Sequence, residues 1–273
     1  MSSRSAVGLA LAAVAWVLIA GLDPWTISPE ARFAPPSATH PLGTDEYGRD
    51  AMARLVLGVG VSGLVAITGA VLAVAIGGAF GLAAGLRGGW VDVCVRRVLE
   101  TVQAVPKLPL FLLLASVDVR RFGLSPGWGW DLTRLALLFG LFGWMTAARV
   151  VRAQTRELAA SPFVEASFAL GAPARTVAIG HMVPHVWPTL KTVLAFDFTQ
   201  LLLMEAALSF LGLGVPAPLP SLGTLTARGL AYAVEAPWLL LGPGLASAWL
   251  VASVGRFLDA ERKMAVEAPQ PSR

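Results

Sequence analysis

From Leu55 to Leu86 the chain carries no charged side chain, and the run is longer than a helix in a globular core requires. Roughly 20 predominantly apolar residues cross the hydrocarbon of a bilayer, so this stretch suffices for one tilted span with an extra turn. Comparable runs lie at Ala6 to Leu22, Val98 to Val117, Leu135 to Val151, Pro188 to Leu211 and Pro237 to Leu258. A backbone surrounded by lipid must satisfy its own N–H and C=O groups, which makes each run a predicted helix. The expectation is an all-α membrane protein with six transmembrane helices. The 56% hydrophobic and 14% charged content, with a mean hydropathy of +0.68, excludes an ordinary soluble domain.

Within these runs the small and cyclic residues have predictable uses. Gly69, Gly77, Gly78, Gly81 and Gly85 read as places where another helix comes close. Pro106 and Pro109 predict a kink in the third span, and Pro243 one in the last. Ala6 to Leu22 reads as a first anchor rather than the core of a signal peptide, because no small-x-small cleavage site follows. The single cysteine, Cys94, rules out an intramolecular disulfide and reads as a buried small apolar residue.

A pI near 9.8 does not imply nucleic acid here, since the arginines are scattered between apolar runs and form no basic stripe. They read as loop charges that orient the spans. Most of the 21 Lys and Arg fall on the side of both termini and of residues 149–175, which predicts that this side is cytoplasmic. Arg120 and Arg121 run against the bias. His40, Asp45, Glu46 and Asp50 cluster in the polar segment before the second span, but one His with unevenly spaced acids does not make a metal site. The three His form no relay. No GxxxxGK[ST], GxSxG or HExxH occurs, so neither a nucleotide-binding loop nor a catalytic residue is expected, and no cofactor or metal.

Ser161 to Pro184 form a polar island between spans. Ser161-Pro162 is a helix start in which Ser can cap free N–H groups. Gly171 marks a left-handed helix end, and Pro173 opens a second short helix to about His181. Phe163, Ala166, Ser167 and Leu170 fall at i, i+3, i+4 and i+7 and form an apolar and small-residue stripe, with Glu165 off it. By pattern alone this is an amphipathic helix lying on a membrane surface.

The residues also spell a signature. Glu165-Ala166-Ser167, then Gly171, then Met182-Val183-Pro184 resembles the EAA motif of the permease subunits of ABC importers, with Ser167 for the second Ala and Met182-Val183 for Ile-Leu. His40-Pro-Leu-Gly-Thr-Asp45, Gly88-Gly89-Trp90-Val91-Asp92, Ala104-Val105-Pro106, Val151-Arg152-Ala153-Gln154 and Ser209 to Val215 resemble patterns of the dipeptide, oligopeptide and nickel branch. Pro220-Ser221-Leu222-Gly223 resembles its PSWG, with Leu222 for Trp.

The resemblance implies a type I ABC importer permease fold with cytoplasmic coupling helices, in a bacterial-type inner membrane. It implies an anchor and external loop over 1–54, a transmembrane domain over 55–258 with a coupling loop at 153–187, and a cytoplasmic tail over 259–273. Partners implied are two ATP-binding subunits, a second related permease and an extracytoplasmic solute-binding protein, besides membrane lipid and without nucleic acid. ATPase docking would fall to Phe163, Glu165, Ala166, Ser167, Leu170 and Gly171. Asp197 and Glu205 lie inside the fifth span, where ionisable groups face a cavity or a partner, and are candidates for the translocation path. The alternative is a proton-coupled secondary transporter that uses the same two acids.

Overall fold

The computed structural model describes residues 23–117 and 128–267. The expected first span, Arg120 with Arg121, and the last residues of the tail lie outside them.

The described chain is helical: α1 (Ala51–Arg87), α2 (Gly89–Gln103), α3 (Lys107–Ala115), α4 (Trp128–Gly143), α5 (Met145–Ala159), α6 (Pro162–Ala169), α7 (Ala174–Val177), α8 (Val183–Phe210), α9 (Leu222–Ala231) and α10 (Trp238–Glu267). Among the described residues, four helical stretches are long and apolar enough to cross a membrane: Ala51–Arg87, Gly129–Ala159, Ala174–Phe210 and Trp238–Leu258. Counting α2 and α3 as one broken span adds a fifth.

That break is sharper than the kink expected from the sequence, since α2 and α3 meet at 80°. Pro106 takes the N-cap of α3 and Pro109 sits in its first turn. There the missing N–H has no intrahelical partner to lose, so the two prolines start a new helix. A second departure follows the polar island. The predicted short helix after Pro173 does not end at His181 but continues through a π turn, Ala178–Met182, into α8. The carbonyl of Gly180, which Pro184 cannot serve as a donor, lies within that i→i+5 turn, so the helix passes the proline without a break.

The chain forms two compact units, with boundaries inside α1 and α8. In the unit Val65–Leu201, α1 meets α5 along Gly77, Gly81 and Gly85. A Cβ on Gly81 would lie 2.8 Å from the Ala148 carbonyl oxygen, and one on Gly85 2.6 Å from the Thr155 Cβ. The glycines expected to serve packing thus set a helix crossing in which backbones nearly touch. Val95 and Leu99 of α2 pack with Ala84, Trp144, Met145 and Ala148. This stripe corrects the reading of Cys94, which is exposed. Asp92, Val95 and Leu99 face inward, and position 94 falls on the other side of the helix.

The other unit combines the described residues before Val65 with those after Leu201. Its polar loop is tied by acids and arginines. Asp45 accepts from the backbone N–H groups of Tyr47 and Arg49 at 2.9 and 3.0 Å and pairs with Arg49 at 2.7 Å. Glu46 pairs with Arg228 of α9. Asp50 caps α1 by accepting from Ala53 N–H at 2.8 Å, while its second oxygen meets His40 at the same distance. These acids are engaged with cations and backbone donors, and among the described residues no group of three His, Cys, Asp or Glu is placed to hold a metal.

Candidate functional site

The island begins where α5 ends. Ser161 has the extended backbone of an N-cap, and its carbonyl oxygen accepts from Val164 and Glu165, each at 3.1 Å. Its hydroxyl does not cap α6. It donates back to the carbonyl of Leu158 at the end of α5, which also accepts from the Ser161 N–H at 3.0 Å. The far end of α6 is closed by a Schellman arrangement: Ala172 N–H reaches Ser167 O at 3.1 Å and Gly171 N–H reaches Phe168 O at 2.9 Å. Gly171 holds φ +82°, as the sequence predicts, because a left-handed residue must close this motif.

One residue anchors α6. Val164 is fully buried together with Val177 and Met182, against Leu82 and Leu86 of α1 and Leu158 and Ala159 of α5. Burial of a valine side chain contributes about 1.5–3 kcal/mol towards seating this helix. The expected stripe lies elsewhere. Phe163, Glu165, Ala166, Leu170 and Gly171 are exposed, Ser167 is half-buried, and Leu170 keeps 89% of its surface free. Phe163 leans on His185, with ring centroids 5.6 Å apart, and meets His181 edge-on at 6.1 Å. The two histidines bordering the island thus support an aromatic ring.

Arg152 and Asp92, from motifs that the sequence reading treated separately, form a two-pronged ion pair. Arg152 Nε donates to one carboxylate oxygen and Nη2 to the other at 2.8 Å. Arg156 comes within 3.5 Å of the same carboxylate.

The two intramembrane acids are placed in different surroundings. Asp197 is buried within the unit Val65–Leu201, and its Oδ2 has no hydrogen-bond partner among the described residues. Lys107 at the start of α3 acts on it electrostatically. Glu205, fully buried, belongs to the other unit. Ser209 donates to its carboxyl group, and the Ser209 oxygen accepts from Val215 N–H at 3.0 Å. Ser62 and Ser221 also face that carboxyl group, and Ser62 accepts from Leu222 N–H at 3.0 Å.

Sequence reasoning missed Val164, the Asp92–Arg152 pair and the whole of α9. For α9 a signal was present. Ser221 and Thr224 form a reciprocal capping box, with Ser221 N–H donating to Thr224 Oγ1 at 2.8 Å and Thr224 N–H to Ser221 Oγ at 3.2 Å.

Residues 77–260 match the family described as binding-protein-dependent transport system inner membrane component. The chain is 34% identical over 204 residues to the oligopeptide transport system permease protein OppC of Haemophilus influenzae, covering 75% of this chain. That match spans 62% of the length of the Haemophilus protein. It is 35% identical over 213 residues to OppC of Mycobacterium tuberculosis, covering 78% of this chain and 70% of that one. To a putative peptide transport system permease protein of Brucella suis it is 33% identical over 250 residues, covering 88% and 79%.

Proposed function

The chain belongs to the family of binding-protein-dependent transport system inner membrane components, and on that premise we propose that it is the membrane-spanning permease subunit of an ATP-driven importer of peptides or a related small solute. The relatives named for oligopeptide and peptide transport support the solute class. In this reading the chain has six spans with both termini cytoplasmic, the anchor and external loop occupying 1–54, the transmembrane domain 55–258 and the tail 259–273. It pairs with a second, related permease, two ATP-binding subunits and an extracytoplasmic solute-binding protein. ATP is hydrolysed on the partners, and this chain contributes the path and the mechanical link.

The observation that carries the link is the two-sidedness of α6. Val164 seats the helix on α1 and α5, while Phe163, Glu165, Ala166, Leu170 and Gly171 stay uncovered beside the half-buried Ser167. A cytoplasmic loop that presents Leu170 almost wholly to water has the form of a surface awaiting a partner. We assign ATPase docking to these residues within the coupling loop 153–187. Closure of the ATPases around ATP would displace α6, and α5 with the continuous helix Ala174–Phe210 would transmit that movement to the spans.

For the path we propose Asp197, a buried acid with an unengaged oxygen. Glu205, further along α8, also keeps one carboxyl oxygen without a hydrogen-bond partner among the described residues and stays a second candidate for the path, while the Ser209 hydroxyl on its other oxygen helps hold the segment after α8 in place. The test is peptide uptake into proteoliposomes that contain the purified complex. Uptake driven by enclosed or added ATP and indifferent to a proton gradient is expected, with Asp197→Asn lowering uptake while ATPase subunits stay bound. Uptake driven by a proton gradient without ATP would replace this reading by the secondary carrier, and unchanged uptake in Asp197→Asn would remove that residue from the path.

A further inference from the structure

Asp92 and Arg152 stand 60 residues apart and meet through both prongs of the guanidinium. Their side chains are largely covered, at 12% and 18% exposure. Two consecutive glycines make the meeting possible. Gly88 and Gly89 hold φ +60° and +51°, a region that other residues enter only at a cost, and they fold α2 back from the end of α1. The first turn of α2 then presents Asp92 to α5, with Arg156 as a second cation on the same carboxylate. Farther along α2, Arg149 donates to Gln103, so α5 is tied to α2 at two points.

The adjoining face of α5 is seated on the α1 glycines, with Val151 packed at Gly81 and Thr155 at Gly85. A helix fixed on two sides cannot easily bend or roll. Its last residue, Ala159, lies just before Ser161 and the start of α6.

We propose that Asp92 is a positioning residue for energy coupling: through Arg152 and Arg156 it fixes the angle at which α5 presents the docking loop. Displacement of α6 then moves α1 and α2 instead of being absorbed by α5. This role rests on the docking reading above. It makes no use of Asp92 as a contact for the ATPase, so loss of the pair should impair coupling and leave binding intact. The two-pronged geometry also demands arginine, because a lysine keeps the charge but cannot fill both carboxylate positions.

The experiment uses the complex with its ATPases and solute-binding protein, and reads two quantities: ATPase retained per inserted chain, and the ratio of solute-stimulated to basal ATP hydrolysis. Asp92→Asn and Arg152→Gln are each expected to lower stimulation about tenfold, the scale of mutations that alter coupling without touching a ligand. Retained ATPase stays near the unmodified level. The double variant is expected to be no worse than the worse single one, because the two side chains act as one unit. Arg152→Lys recovers part of the stimulation. Unchanged stimulation in the single variants, or losses that multiply to about a hundredfold in the double, would overturn the role. If the neutral variants fail to insert, Arg152→Lys decides: lowered stimulation at full insertion supports the role, and normal stimulation removes it. An unmodified complex that retains no ATPase would instead overturn the docking reading itself.

Discussion

At the residue scale, Gly171 is constrained by its backbone conformation and not by its neighbours. Its φ of +82° closes α6, yet a Cβ there would meet nothing within 4 Å. The objection to a side chain is therefore the backbone alone, about 1–2 kcal/mol for a left-handed residue other than Gly, and more for one branched at Cβ. Gly171→Val is expected to leave the chain inserted and abolish transport-coupled ATP hydrolysis, because Leu170 and the turn after it would point elsewhere. Gly171→Asn, which tolerates this region better, should keep most of the coupling. Full coupling in the Val variant, measured as solute-stimulated hydrolysis in proteoliposomes, would show that the turn has no such part. Gly43 is constrained twice over. It combines φ +63° with a contact in which a Cβ would lie 2.6 Å from the Trp238 indole nitrogen.

At the scale of elements, the α1–α5 crossing is the most exacting. Filling the groove at Gly81 with Leu forces a side chain against the Ala148 carbonyl oxygen and Val151. Overpacking of this kind costs roughly 1–3 kcal/mol, so Gly81→Leu should lower the melting temperature of the purified chain, and an unchanged melting curve would contradict the close contact. Gly78, whose added Cβ would lie 3.5 Å from Leu190, should accept Ala with little effect. Much of this architecture was legible in the sequence. The uncharged run at Leu55 to Leu86 became α1, the Ser161-Pro162 start and the Gly171 stop bounded α6, and Pro106 divided the third span. The rest depended on neighbours distant in sequence. A 3.6-residue stripe picks out a face of α6 but not which face is covered, and it is Leu82 and Leu86 that choose Val164. Cys94 was misplaced for the same reason, since only the packing of Val95 and Leu99 shows which way α2 is turned. Asp92 and Arg152 belonged to two separate sequence motifs until the fold brought them together.

At the scale of the molecule, family membership and the helical architecture agree on a membrane component of a transport system, and under the docking proposal the loop around α6 is where this component would receive energy from outside itself. An uncovered Leu170 beside a seated Val164 is what a moving partner can grip and pull against. The most direct measurement is purification of the tagged chain in mild detergent, followed by an ATPase assay on the proteins that accompany it. The unmodified chain should retain ATP-hydrolysing subunits, and a variant combining Glu165→Ala with Leu170→Glu should lose them while Val164 keeps the loop folded. Retention of the same ATPases by that variant, at equal insertion, would contradict docking through the exposed face of α6.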